Sequence, residues 1–212
     1  LNSKDRIVID LRMLLYFLAA LLVVATAEVY KDGPCPDVSP MANFDLNSFQ
    51  GAWYEIARYP NAEEEGQRAK CSITEYNLNG NKNKGKLMFS QVVDGVRSFI
   101  RGDVSHDGPA RLVFTYNFGG LTRGNEMTIL DTDYKKYAIG YRCKELKDSN
   151  KHQVFAWTFS RGKELNGGAK ESVDNYLRNS PAIDMDKFVD NDHSDKACGA
   201  TVNRVITHFL KF

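Results

Sequence analysis

Arg111-Leu112-Val113-Phe114-Thr115-Tyr116-Asn117-Phe118 is the stretch whose reading decides the fold class. Leu112, Phe114, Tyr116 and Phe118 share one parity, with Arg111, Val113, Thr115 and Asn117 between them. In extended backbone successive side chains point to opposite sides, so a period of two with the aromatics on one face is a half-buried strand. Similar segments lie on either side: 86–93 and 98–104 before it, 125–130, 137–144 and 153–161 after it. Turn-forming clusters separate them: Asn79-Gly80-Asn81, Asp94-Gly95, His106-Asp107-Gly108-Pro109, Gly119-Gly120 and Asp148-Ser149-Asn150. Many short strands at this spacing predict an all-β sandwich or barrel.

One helix interrupts the pattern. Ala169, Val173, Tyr176 and Leu177 fall at helical spacing after Asn166-Gly167-Gly168 and before Pro181. A lone helix after a run of strands buries its apolar stripe on the outside of the sheet, and its expected landing site is Ile139 and Tyr141. In the tail, 201–212, Val202, Val205, Ile206, Phe209 and Leu210 recur at roughly helical spacing. Two readings stay open there: a helix that meets a partner or a membrane, and a frayed terminus.

The other end reads as a targeting segment. Residues 13–24 (MLLYFLAALLVV) are apolar and run into Ala25-Thr26-Ala27. A short apolar core closed by a small-x-small triplet is the pattern of a cleaved secretory signal. The competing reading, a transmembrane anchor, calls for about 20 apolar residues. Met13 is the expected initiator, 1–27 the upstream and signal residues, 28–200 one domain, and Glu28 the first mature residue. Lys and Arg total 28 against 27 Asp and Glu, and no basic block stands out. The sequence therefore has no electrostatic footprint for nucleic acid or anionic membranes, and no stable membrane insertion is expected of the mature chain. Cys35, Cys71, Cys143 and Cys198 make an even set in an exported chain, which implies two disulfides with three connectivities open. None is spaced as CxxC, so no metal site is expected.

No catalytic set emerges. There is no GxSxG, no HExxH and no glycine-rich phosphate loop. His106 and His152 fall in turn-like segments, His193 in a polar loop and His208 in the tail, and all four read as surface histidines. Glu63-Glu64-Glu65 reads as a solvated acidic face. An enzyme is not expected.

Three short motifs carry a resemblance. Gly51-Ala52-Trp53-Tyr54 opens the first predicted barrel strand, Thr132-Asp133-Tyr134 forms a turn between two later strands, and Arg161 ends the last long one. In this order and spacing they resemble the three signature regions of the lipocalin family. The likeness covers nearly all of the mature chain and is strongest to insect bilin-binding proteins and insecticyanins, through Cys35-Pro36-Asp37-Val38, Asn43-Phe44-Asp45, Ala138-Ile139-Gly140-Tyr141, Val173-Asp174-Asn175-Tyr176-Leu177 and Asp195-Lys196-Ala197-Cys198.

The resemblance implies an all-β, eight-stranded antiparallel up-and-down barrel with one C-terminal helix packed outside. It implies the disulfides Cys35–Cys143 and Cys71–Cys198. Trp53 is the expected plug of one barrel end. Arg161, on the inward parity of Gln153, Phe155, Trp157 and Phe159, is positioned to stack on its indole. Ligand-lining positions map to Phe89, Gln91, Tyr116, Phe118, Leu121, Arg123, Asn125, Arg142, Gln153 and Phe155. Arg123 and Arg142 are either solvated rim charges or partners of ligand carboxylates. The function implied is extracellular carriage of a small hydrophobic molecule, biliverdin or a similar tetrapyrrole, with no cofactor required. A carrier of fatty acids, retinoids or other apolar lipids is the alternative within the class. A ligand-free interaction protein acting through loops and tail is the alternative outside it. At Phe89–Gln91 the chain departs from the pigment carriers, which can hold more polar side chains there, including a histidine.

Overall fold

Each strand from Gly51 to Ser160 pairs antiparallel with the next, and the last pairs with the first, so the sheet closes on itself. The computed structural model describes residues 28–64, 68–78, 80, 83–118, 121–200 and 202–205, with the side chains of Phe118, Leu121 and 202–205 outside that description. The expected signal segment 1–27 and residues 206–212 lie outside the described residues. The elements are β1 (Val29–Asp32), α1 (Leu46–Phe49), β2 (Gly51–Arg58), β3 (Lys70–Asn77), β4 (Lys84–Val93), β5 (Val96–His106), β6 (Arg111–Phe118), β7 (Leu121–Thr132), β8 (Tyr137–Glu145), β9 (Lys151–Ser160), α2 (Gly167–Asn179), β10 (Val189–Asp190), α3 (Asp195–Cys198) and β11 (Val202–Val205). Strands β2 to β9 form the eight-stranded up-and-down barrel, and β1 extends the free edge of β9.

Strand parity divides the side chains into two cores. Inside lie Trp53, Tyr76, Leu87, Leu112, Phe114, Met127, Ile129, Phe155, Trp157 and Phe159. Outside, Ile139, Tyr141, Val154 and Ala156 meet Ala169, Val173 and Leu177 of α2, the landing site expected from the sequence. Burying an aliphatic side chain of that size stabilises by about 1.5–3 kcal/mol, which is what holds the helix to the wall. The β4–β5 hairpin turns at Asp94-Gly95, both at positive φ, the conformation that matches the twist of the two strands.

The C-terminal segment completes the wall. Strands β2 and β3 pair only over Gly51–Tyr54. Beyond that they part, and β10 pairs with Arg58 and Ala57. Asn191 N donates to Ile56 O (2.8 Å) and Cys71 N donates to Asp192 O (3.1 Å), so 189–192 ties β2 to β3. The Cys71–Cys198 disulfide pins this strap, and Cys35–Cys143 pins the N-terminal segment to β8. Both pairings are those the resemblance implied. The helical reading of the tail is corrected where the chain is described: Val202–Val205 is a strand, parallel to Val96–Phe99. Register with β6 begins only at Gly102, so the first half of β5 leaves an edge that the tail occupies.

Candidate ligand-binding site

One barrel end is shut by packing. Asp45 caps α1, its carboxylate accepting from the Asn47 and Ser48 amides, and the helix delivers Leu46 and Phe49 beneath the strands. Phe49 stacks on Trp53 with ring centroids 4.7 Å apart, and Trp53 Nε1 donates to Phe49 O (2.8 Å). Arg161, one residue beyond β9 rather than its last, lies over the Trp53 ring. It donates to Tyr134 O, Ala52 O and Phe49 O. In the Thr132-Asp133-Tyr134 turn, Asp133 Oδ1 accepts from the amides of Lys135, Lys136 and Tyr137. These residues are architecture.

The opposite end is the mouth, and most of the expected ligand positions converge there or just below it. Phe155 is buried in the interior cluster, with Phe89 and Tyr116 packed partly buried against it. Gln91 and Gln153 are buried on inward-facing parity. Gln91 is only 6 % exposed, and its Oε1 has no hydrogen-bond partner. Arg142 places its guanidinium 4.7 Å from the Phe155 centroid. Asn125 is half-buried and Arg123 exposed at the rim, where Arg123 pairs in register with Tyr116. Phe118 and Leu121 pair with each other at the end of β6–β7, but their side chains fall outside the described residues.

A buried charge cluster lies among these side chains, and sequence reasoning missed it. Glu55 and Arg58 are both buried and form an ion pair. Asn191 Nδ2 adds a hydrogen bond to Glu55 at 2.8 Å. Glu64 lies 3.5 Å from Arg58, and its two carboxylate oxygens accept from Trp157 Nε1 at 3.2 and 3.1 Å. Burial, with Glu55 nearby, raises the Glu64 pKa to about 7 against the pull of Arg58 and of hydrogen bonds from Asn61 and Trp157. Burial alone works against the Arg58 charge, but Glu55 and Glu64 outweigh it and hold its pKa above the ordinary value. Glu63 meets Arg142 at 3.0 Å. The solvated-face reading is therefore corrected at Glu64, which is only partly exposed, while Glu63 stays exposed but is ion-paired. A 3₁₀ turn, Ala62–Glu64, carries both carboxylates into the mouth. Glu55 shares the parity of Trp53, a signal that could have found it.

The surface reading of the histidines is corrected as well. His152 is a buried residue of β9 whose Nδ1 bonds Gly33 O (2.9 Å). His193 is buried with Nε2 on Glu55 O (2.7 Å). It lies beside the sulfurs of Cys71 and Cys198, which are committed to their disulfide. His106 ends β5 and packs edge-on against Phe44. Each segment is pulled into the structure by a distant neighbour, so local polarity misleads. His208 lies outside the described residues.

A closed antiparallel barrel with one end plugged and the other ringed by polar groups over an aromatic wall is the architecture of a small-molecule carrier. The chain belongs to the lipocalin family: residues 50–195 match the model described as the lipocalin / cytosolic fatty-acid binding protein family. It is 41% identical over 182 residues to the bilin-binding protein of Pieris brassicae, covering 84% of this chain and 94% of that one. Apolipoprotein D of Cavia porcellus is 31% identical over 86% of this chain and 95% of its own length. Among solved structures, insecticyanin from Manduca sexta superposes with a TM-score of 0.81 at 37% identity, covering 85% of this chain and 97% of that one. Family and relatives make the chain a carrier rather than an enzyme. Among the described residues no helix is long and apolar enough to cross a membrane.

Proposed function

We propose that this lipocalin is a secreted carrier of a biliverdin-like tetrapyrrole, held in the barrel with its carboxylates at the mouth. Residues 28–200 form the carrier domain in this reading, after removal of a signal ending at Ala27. Phe155, Tyr116, Phe89, Phe118 and Leu121 supply the apolar wall, with Gln91, Gln153 and Asn125 as polar contacts and Arg142 and Arg123 nearest the ligand carboxylates. The observation that carries the reading is the unpartnered Oε1 of Gln91, buried on the inward face of β4. A buried acceptor without a donor is costly, and pyrrole N–H groups are donors that a fatty acyl chain lacks. The similarity to a bilin-binding protein over most of both chains supports the same ligand class. Both disulfides accord with an oxidising, extracellular setting. No further cofactor is needed by this reading.

The second reading, carriage of fatty acids, retinoids or other apolar lipids, is favoured by the similarity to apolipoprotein D. Absorbance titration of the mature chain with biliverdin, beside retinol and palmitate, separates the two. Saturable micromolar biliverdin binding with a shifted visible band is expected. Uptake of retinol or palmitate alone overturns the pigment reading.

A further inference from the structure

Arg142 is the cation the ligand reading places on a carboxylate, yet it already holds one from its own chain. Glu63 Oε2 lies 3.0 Å from Arg142 Nη1, and Asn125 Nδ2 donates to the same oxygen at 3.3 Å. Both partners project from the wall, from β8 and β7, while Glu63 arrives on the turn that follows β2. The pair is lopsided in burial: the Arg142 side chain is 13 % exposed and that of Glu63 is 44 % exposed. The guanidinium is thus fixed on the Phe155 ring, whereas the carboxylate reaches it from the solvent side.

The turn does not depend on Glu63 for its position. Asn61 Nδ2 donates to Tyr59 O, and Asn61 Oδ1 accepts the Glu64 amide. Glu64 is held by Trp157 and Arg58, and the Ala62 amide donates to Glu28. Withdrawing Glu63 from Arg142 therefore leaves the rest of the turn docked. We propose that Glu63 is a specificity-determining residue, an internal competitor that occupies at Arg142 and Asn125 the place a ligand carboxylate takes. This rests on the reading of Arg142 as the ligand's carboxylate partner. An anionic ligand must exchange with Glu63, so part of its attraction to Arg142 is spent on displacing that side chain. An uncharged ligand makes no such exchange. Glu63 thereby narrows the preference for anionic over neutral ligands and keeps the anionic ones releasable.

The test is a set of titrations of wild type, Glu63→Gln, Arg142→Ala and the double variant. The probes are two matched pairs: biliverdin with its dimethyl ester, and palmitate with methyl palmitate. Glu63→Gln should tighten binding of the acid member of whichever pair is bound by about three- to tenfold, the scale of a partly exposed charge competition. The ester should be unaffected, and the gain should vanish in the Arg142→Ala background. Thermal melting checks that the variants fold, and the exposed position of Glu63 makes unfolding of Glu63→Gln unexpected. If biliverdin binds but Glu63→Gln leaves the acid-to-ester ratio unchanged or lowers it, the competitor role is overturned while the pigment reading stands. If biliverdin does not bind and palmitate shows the gain, the competitor role stands and the pigment reading falls. No binding of any probe overturns both.

Discussion

The guanidinium carbon of Arg161 lies 3.8 Å from the centroid of the Trp53 ring, and the same side chain donates to carbonyls on three segments. One side chain therefore joins α1, the start of β2 and the β7–β8 turn where the barrel is shut. Removing it loses a cation–π contact and leaves three carbonyls short of a charged donor.

Arg161→Ala should lower stability by about 2–4 kcal/mol, from the cation–π contact and the charge-assisted hydrogen bonds together. Arg161→Lys should recover little, because an ammonium cannot cover the ring and three divergent acceptors at once. Urea unfolding measures both. Ligand affinity, set at the opposite end, should be unchanged. A variant of wild-type stability would show that the plug stands without Arg161.

The carboxyl group of Glu64 makes stability depend on pH. Its pKa is raised from 4.5 to about 7, chiefly by burial, so the folded state holds the proton more tightly than the unfolded chain. The contribution is fully present below 4.5, is lost as pH rises to about 7, and is level above that. Glu64→Gln should flatten this fall in unfolding free energy. Emission of Trp157, whose Nε1 donates to Glu64, should lose a titration near neutrality in the same variant. An unchanged slope across that window would refute the assignment.

At the proposed site, Phe155→Ala should weaken biliverdin binding about ten- to a hundredfold, from the apolar area no longer covered. Phe118→Ala is expected to act in the same direction. Arg142→Ala should weaken biliverdin more than its dimethyl ester. His106→Ala, against Phe44 at the closed end, should leave both affinities alone. Absorbance titration reads all four, and equal loss of acid and ester in Arg142→Ala would count against the carboxylate role.

Replacing Cys71 and Cys198 together by Ser should cost about 2–4 kcal/mol through the unfolded chain. It should also release the strap locally. Hydrogen exchange at the amides of position 71 and of Asn191, which bridge β2 and β3, should accelerate well before exchange around Trp53. Uniform acceleration would mean that the strap and barrel open as one unit.

The barrel interior was legible because parity is local. Leu112, Phe114 and Tyr116 announce their shared face within one strand, as do Phe155, Trp157 and Phe159, and all but the half-buried Tyr116 are buried there. The stripe Ala169, Val173 and Leu177 likewise announces a helix with one apolar side, and Ile139 and Tyr141 were its readable landing site. The charge cluster was not legible in the same way. Parity turns Glu55 inward and Arg58 outward, three positions along. The register of β2 against β9 slips between Glu55 and Ala57, however, and this sets Arg58 opposite Trp157.

What the sequence determined by itself is the opening strand at Gly51, the run of strands β4 to β9, their inward faces and the outer helix, since each follows from periodicities a few residues long. Only the tertiary structure decided that Arg58 joins Glu55 inside, that Glu63 and Glu64 enter the mouth, that 189–192 ties β2 to β3, and that Val202–Val205 lies along β5. Each of these is settled by a partner distant in sequence, 79 positions away for Glu63 and Arg142. A polar side chain's place is chosen by the charge or donor that meets it when the chain closes, and local pattern carries no record of that partner.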